Sequence, residues 1–287
     1  MLRITKCAVT AVVAITLRRV AFMSFFFCFT ASGNTSLPVN VTSADQIIGS
    51  NDLIKVKVDG SNVDANLRPY LNAFGLISVN TGTCTGTHIG NGYVLTAGHC
   101  LLADGETGSI SHRDCSDFKI FWADRGSPEV GSPSPMITFT SQCTEIVYAE
   151  RSPQRDFGIF KVDQAPSASL PISAVNRAGV GANLTIFSYP QGRPLEWSQY
   201  CPLVVLPSKP SQFSYQCDTE PGSSGAAILA IDEAGHPIIV GIHDSAISDE
   251  DYNRATQFAD AAAAVKAKLG IDITQATQGS LRMFARF

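Results

Sequence analysis

GYVLTAGHC, Gly92–Cys100, is the stretch on which the reading of the fold turns. A short apolar run, Tyr93–Leu95, leads into Thr96-Ala97-Gly98, and His99 then stands beside Cys100. The same layout, a strand-length apolar run bounded by turn residues, recurs along the chain. It is seen in LIKVKVDG (53–60), AFGLISVNTG (73–82), FKIFWAD (118–124), FGIFKVD (157–163), NLTIFSYP (183–190), LVVLPS (203–208), AAILAID (226–232) and PIIVGIH (237–243). Runs of that length between Gly, Pro, Asn and Asp read as β-strands. Many short strands with no amphipathic helices between them argue for an all-β sandwich or barrel. The one strong helical stretch is late, Tyr252–Leu269, where Ala, Lys and Leu favour helix and Gly270 suits the cap.

The chain has 287 residues, 45% apolar and 16% charged, with a net charge of −4. That suits an ordered β-rich protein and gives no electrostatic case for nucleic acid or acidic membranes. Residues 1–33 hold Arg3, Lys6, Arg18 and Arg19, no acidic residue, and two apolar runs too short to span a membrane comfortably. They read as an export signal removed near residues 31–33, with a retained signal anchor as the alternative. Residues 34–46 are polar and read as a linker or pro-segment. Cys7 and Cys28 fall in the signal, which leaves Cys84, Cys100, Cys115, Cys143, Cys201 and Cys217, an even number that suits export and disulfides. No CxxC pair occurs, so no metal is expected. Asn34, Asn40 and Asn183 stand in Asn-x-Ser/Thr sequons.

His99 is the first of three polar residues that sit at strand edges. Asp156 opens the apolar strand of QRDFGIFKV, and two serines lie in PGSSGAA, 221–227. Each alone reads as a structural histidine, a strand-end cap and a Gly/Ser turn. Together they supply what a serine nucleophile needs. A neutral imidazole must take the hydroxyl proton, and a carboxylate must hold the imidazole tautomer and stabilise its cation.

TAGHC, RDFGIFKV and PGSSGAA resemble the His, Asp and Ser motifs of the chymotrypsin-like serine peptidases. The resemblance implies His99 as base, Asp156 as its orienter and Ser224 as nucleophile. Only Gly222-Ser223-Ser224-Gly225 fits the family's Gly-x-Ser-Gly in register, so Ser223 holds the variable position. It also implies an oxyanion hole from the N–H groups of Gly222 and Ser224. The α/β-hydrolase elbow Gly-x-Ser-x-Gly does not fit, because Ala226 stands two past Ser224. Cys84 with Cys100 looks like the family's histidine-loop disulfide. Cys201 and Cys217 flank a Pro-rich hairpin and are paired on that ground, and Cys115 with Cys143 remains by elimination.

IIGSNDLIKVKV (47–58), CTGTHIGNGYVLTAGHC (84–100) and SYPQG (188–192) resemble the glutamyl-endopeptidase, or V8-like, branch. That resemblance implies activation by a cut before Ile47 or Ile48, with a plain strand start as the alternative. It also implies that Thr219 and His243 receive the carboxylate of a P1 glutamate. Asp218 competes with this reading. It lies six before Ser224, where trypsin-type enzymes hold the aspartate that selects Arg or Lys. A buried aspartate in the S1 pocket would repel glutamate, but an Asp-Thr pair before Pro-Gly is common in the V8-like branch, so the resemblance favours a structural Asp218 and an acidic P1. Asp244 and Ala246 also depart from the branch along the substrate-binding strand.

The expected protein is therefore an all-β chain of two six-stranded antiparallel Greek-key barrels with a C-terminal helix. The expected divisions are 47–165 for the barrel with His99 and Asp156, 166–251 for the barrel with Ser224, and 252–287 for helix and tail. It would be a secreted, monomeric endopeptidase acting on proteins or peptides, with no cofactor and no stable membrane association once mature. A secreted homologue that binds without cutting is the rival from another class. The acidic run Ser248–Asp251 reads as a solvated loop, and His88, His112 and His236 show no ligand spacing.

Overall fold

The computed structural model describes residues 45–79, 82–123, 125, 139–170, 172, 179–205, 211–247 and 250–275. The expected export signal, Cys7, Cys28, Asn34, Asn40, most of the 34–46 segment, Ser248 and the end of the tail lie outside the described residues.

The chain begins with a two-residue strand, β1 (Ile54–Lys55), and then builds two rings. The first holds β2 (Phe74–Val79), β3 (Gly82–His88), β4 (Tyr93–Thr96), β5 (Gly108–Arg113), β6 (Lys119–Trp122), β7 (Phe139–Arg151) and β8 (Asp156–Val162). All pairings are antiparallel, and β7 pairs with β8 to close six strands in the order β2-β3-β4-β8-β7-β6, with β5 added on β7. The second holds β9 (Asn183–Ser188), β10 (Glu196–Trp197), β11 (Cys201–Val205), β12 (Gln212–Tyr215), β13 (Ala227–Ile231), β14 (Pro237–Ala246) and β15 (Asn253–Gln257). Here β13 pairs with β9 to close β9-β11-β12-β15-β14-β13, with β10 and β1 added on β9. Each ring runs first, second, third, sixth, fifth, fourth in chain order, so the two barrels share one Greek-key topology, as expected.

Closure leaves these rings with paired strands all round and buries one face of every strand. Ile77, Val94, Ile120, Trp122 and Phe160 fill the first interior, and Ile186, Leu203, Phe213, Tyr215 and Val240 the second. A third cluster runs along the seam, where the Phe74 and Phe187 rings pack tilted with their centroids 4.9 Å apart. Disulfides Cys84–Cys100 and Cys115–Cys143 tie the first barrel, and Cys201–Cys217 the second. Each of the two loops spanning 16 residues is worth about 3 kcal/mol through the unfolded chain.

The C-terminal helix, α1 (Phe258–Leu269), starts six residues later than the sequence suggests. Asn253–Gln257 is instead β15, the strand that closes the second ring beyond the expected boundary at 251. It is hydrogen-bonded to β12 on one side and β14 on the other, and that pairing overrides a weak local preference. Gly270 caps the helix in the left-handed region (φ +69°) as expected. The LIKVKVDG run forms only β1, because Val56 turns inward and Gly60 N–H closes a turn onto Lys57 O.

Candidate active site

The site is assembled from turns at the seam. His99 sits in the short 3₁₀ turn Gly98–Cys100 that follows β4. Gly98 is obligatory there, since a Cβ would lie 2.1 Å from Glu150 O. Asp156 opens β8 and meets His99 twice. Its Oδ1 accepts the His99 backbone N–H at 2.9 Å, and its Oδ2 accepts Nδ1–H at 2.9 Å. This leaves Nε2 as the lone-pair nitrogen of the neutral ring, the tautomer that general-base work needs. Burial alone would lower the imidazole's pKa, but the charge and hydrogen bond of Asp156 outweigh it and hold it above the ordinary 6.5.

Asp156 is held from the other barrel. Its backbone N–H donates to Thr256 Oγ1 on β15 at 2.8 Å, and the Thr256 hydroxyl donates to Asp244 Oδ2 at 2.9 Å. Asp244 also accepts from Arg254 Nε at 3.1 Å and Ser245 Oγ at 2.6 Å. Its side chain is fully buried. The residue that departs from the family pattern is thus the far end of a chain of contacts leading to the Asp156 backbone. Neither Thr256 nor this link has a signal in the sequence, because a lone Thr in a strand is ordinary.

The serine turn packs into the first barrel. Thr85 N–H donates to Ser224 O at 2.8 Å and Thr85 Oγ1 to Gly222 O at 2.8 Å. Gly225 has φ +86°, and a Cβ on it would meet Thr96 Oγ1 at 2.1 Å, so only glycine lets the turn approach. The two serines separate cleanly. Ser223 is fully buried and donates to Ser188 Oγ at 3.0 Å. The Ser224 hydroxyl has no hydrogen-bond partner among the described residues, and the residue is 9% exposed. The Gly222 and Ser224 N–H groups likewise have no acceptor among the described residues. His99 and Ser224 share the Cys84–Cys100 disulfide as a neighbour, with Cys100 Sγ 3.9 Å from Ser224 O. They are not hydrogen-bonded to each other. The grouping of His99 with these two sulfurs is no metal site, since the sulfurs are bonded together.

The expected specificity residues fall into two sets. Thr219 and His243 are both fully buried, and both contact the N-terminal segment. His243 Nε2 lies 2.6 Å from Asp45 Oδ1, and Tyr215 Oη lies 2.6 Å from His243 Nδ1. Burial, then the charges of Asp45 and Asp244, push the Tyr215 phenol well above its ordinary value, so it stays protonated. Gln46 N–H reaches Thr219 Oγ1 at 3.2 Å, and Thr219 N–H donates to Gln46 O at 3.0 Å.

Asp218 does not join them. Its Oδ1 accepts Ile48 N–H at 2.7 Å and its Oδ2 accepts Asp52 N–H at 2.6 Å. Both oxygens are taken by the backbone of the N-terminal segment, so Asp218 sits as a clamp on residues 48–52, the structural placing weighed above against a pocket role. Among the other histidines, His88 is tied to Ala168 O, His112 to Glu145 and His236 to Asp232. Asp45, Tyr215 and Thr256 were absent from the expected site.

A family model described as the trypsin-like peptidase domain matches residues 84–242, more than half of the chain. The chain belongs to the trypsin-like peptidase family. Among relatives of this family member, the glutamyl endopeptidase of Bacillus licheniformis is 24% identical over 225 residues, 75% of this chain and 66% of that protein. The match therefore spans just under two thirds of that relative's length. A solved structure of a Glu endopeptidase in complex with MPD superposes with a TM-score of 0.56 at 20% identity, covering 77% of this chain and 98% of the other. The Rv3671c protease of M. tuberculosis H37Rv, in an inactive form, superposes at 0.50 with 17% identity, covering 72% and 93%. These superpositions establish the fold, which agrees with the trypsin-like peptidase family. Among the described residues of this peptidase-family chain, no helix is long and apolar enough to cross a membrane.

Proposed function

We propose that the chain is an exported serine endopeptidase that hydrolyses peptide bonds after acidic residues. His99 Nε2 takes the Ser224 hydroxyl proton as Ser224 Oγ attacks the scissile carbonyl. Asp156 holds the ring and stabilises the imidazolium. The oxyanion falls to the Gly222 and Ser224 N–H groups, which have no acceptor among the described residues. The imidazolium then protonates the leaving amine, and water hydrolyses the acyl-enzyme by the same route in reverse. Three disulfides support an oxidising compartment. The acidic preference rests on Thr219 and His243, an imidazole donor and a hydroxyl close together, with Asp218 turned away.

The observation that carries the reading is the double hydrogen bond from His99 to Asp156 across the seam from an unbonded Ser224 hydroxyl. A fluorophosphonate probe tests it. Processed wild-type protein should label, and Ser224→Ala should not, with peptide turnover reduced on the order of 10⁶-fold. Processed, folded wild type that fails to label would show a binding protein rather than an enzyme. A peptide library reads the P1 residue, and cleavage after Arg or Lys would overturn the acidic preference.

A further inference from the structure

Asp45 has no task in the reaction, yet it is buried and paired. Its carboxylate lies 2.6 Å from His243 Nε2, with the two side chains 2% and 0% exposed. Thr219 and His243 are the receivers that the resemblance to the V8-like branch assigns to a substrate carboxylate, and residues 45 and 46 occupy both.

We infer that Asp45 is a built-in occupant of the substrate-carboxylate site. The chain is blocked against acidic P1 substrates while residues 45–46 remain attached. It opens when a peptidase hydrolyses any bond from Asp45–Gln46 to Ile47–Ile48. This rests on the acidic-P1 reading above and adds its regulation.

Three observations support it. First, the site is polarised for an acceptor. Tyr215 Oη takes up His243 Nδ1, and the carboxylate 2.6 Å from Nε2, which can only accept, requires an N–H on that nitrogen. Second, the occupant is anchored. Gln46 N–H faces Thr219 Oγ1 and Asn253 Oδ1, both at 3.2 Å, while its carbonyl accepts from Thr219 N–H at 3.0 Å and Asn253 Nδ2 at 2.9 Å. Asp218 pins Ile48 two residues on. Third, the tether is short, so the competing carboxylate has an effective concentration of about millimolar or above. A substrate carboxylate binds only the open fraction, and its apparent affinity falls by that fraction. The block is therefore competitive. It raises KM and leaves kcat unchanged. Severing the chain removes the tether, so Asp45 is lost to dilution while Ile48 stays clamped by Asp218.

Two measurements decide it. In full chain shown by mass to retain residues 45–48, Asp45→Ala should lower KM for a fluorogenic P1-Glu peptide at least tenfold. The value should match that of the severed form, with kcat and the fluorophosphonate labelling rate within about twofold. In the Ser224→Ala background, which cannot cut itself, Asp45→Ala should tighten binding of a peptide ending in Glu by a similar factor. Equal KM in the intact wild type and Asp45→Ala, with the severed form cutting after Glu, overturns the inference and leaves the acidic-P1 reading standing. A severed form that labels but does not cut after Glu overturns that reading, and the inference with it.

Discussion

The two ends of the seam are finished differently. At the proposed catalytic end, contacts from both barrels fix Asp156 and the serine turn, while the Ser224 hydroxyl and the Gly222 and Ser224 N–H groups have no partner among the described residues. At the specificity end, Thr219, His243 and Asp218 are all partnered by residues 45–52 of the same chain. The difference separates two uses of a buried carboxylate. Asp156 is satisfied by an imidazole that must move protons. Asp218 is satisfied by backbone N–H groups that hold a strap, and Asp45 by an imidazole that holds a ligand.

The strongest break of this comparison is at Asp156. Asp156→Asn keeps the shape but offers an amide that favours the wrong imidazole tautomer, and kcat should fall by about 10⁴-fold. If Asp218→Asn cost as much turnover, the division between reacting and strapping carboxylates would fail.

Asp218→Asn should act on stability instead. It replaces two charge-assisted acceptors with one carbonyl and an opposed NH₂, and about 3 kcal/mol should be lost in denaturant melts. The P1 preference in a peptide library should not change. A new or lost cleavage after Arg or Lys would return Asp218 to the pocket.

The smallest effect sharpens the catalytic end. Asp244→Asn keeps a side chain of the same size but removes a charge that helps to raise the His99 pKa, with Asp156 on the same side of the balance and Arg151 against it. Arg254 is left with its partner weakened. Catalysis needs the neutral ring, so activity falls as pH drops through the raised pKa. Without Asp244 that acid limb of kcat/KM should move to lower pH, and kcat should drop by about tenfold as the Thr256 link loosens. An unmoved limb would reduce Asp244 to packing.

Much of this was legible in the chain. TAGHC, RDFGIFKV and PGSSGAA each place a reactive side chain at the end of a buried run, and such local patterns survive folding because strand period and turn chemistry are local properties. The choice of Ser224 over Ser223 followed from register with Gly222 and Gly225, and burial of Ser223 against Ser188 agrees with it. The strand β7 was harder to see. Its first half, Phe139–Glu145, mixes exposed polar residues with buried Ser141 and Cys143, which blurs the alternation. β15 was hidden beneath an alanine-rich helix that begins directly after it.

Local pattern therefore determined the class of fold and singled out Ser224, His99 and Asp156 as the proposed nucleophile, base and orienter, since each motif is read from neighbours a few residues away. Tertiary structure decided where the remaining carboxylates point. Asp218 meets Ile48 and Asp52 from 170 and 166 residues away, and Asp45 meets His243 from 198. A buried charge takes whatever donors the closed barrels bring to it. No periodicity records that choice, because it is set by the desolvation cost of leaving the carboxylate unpaired.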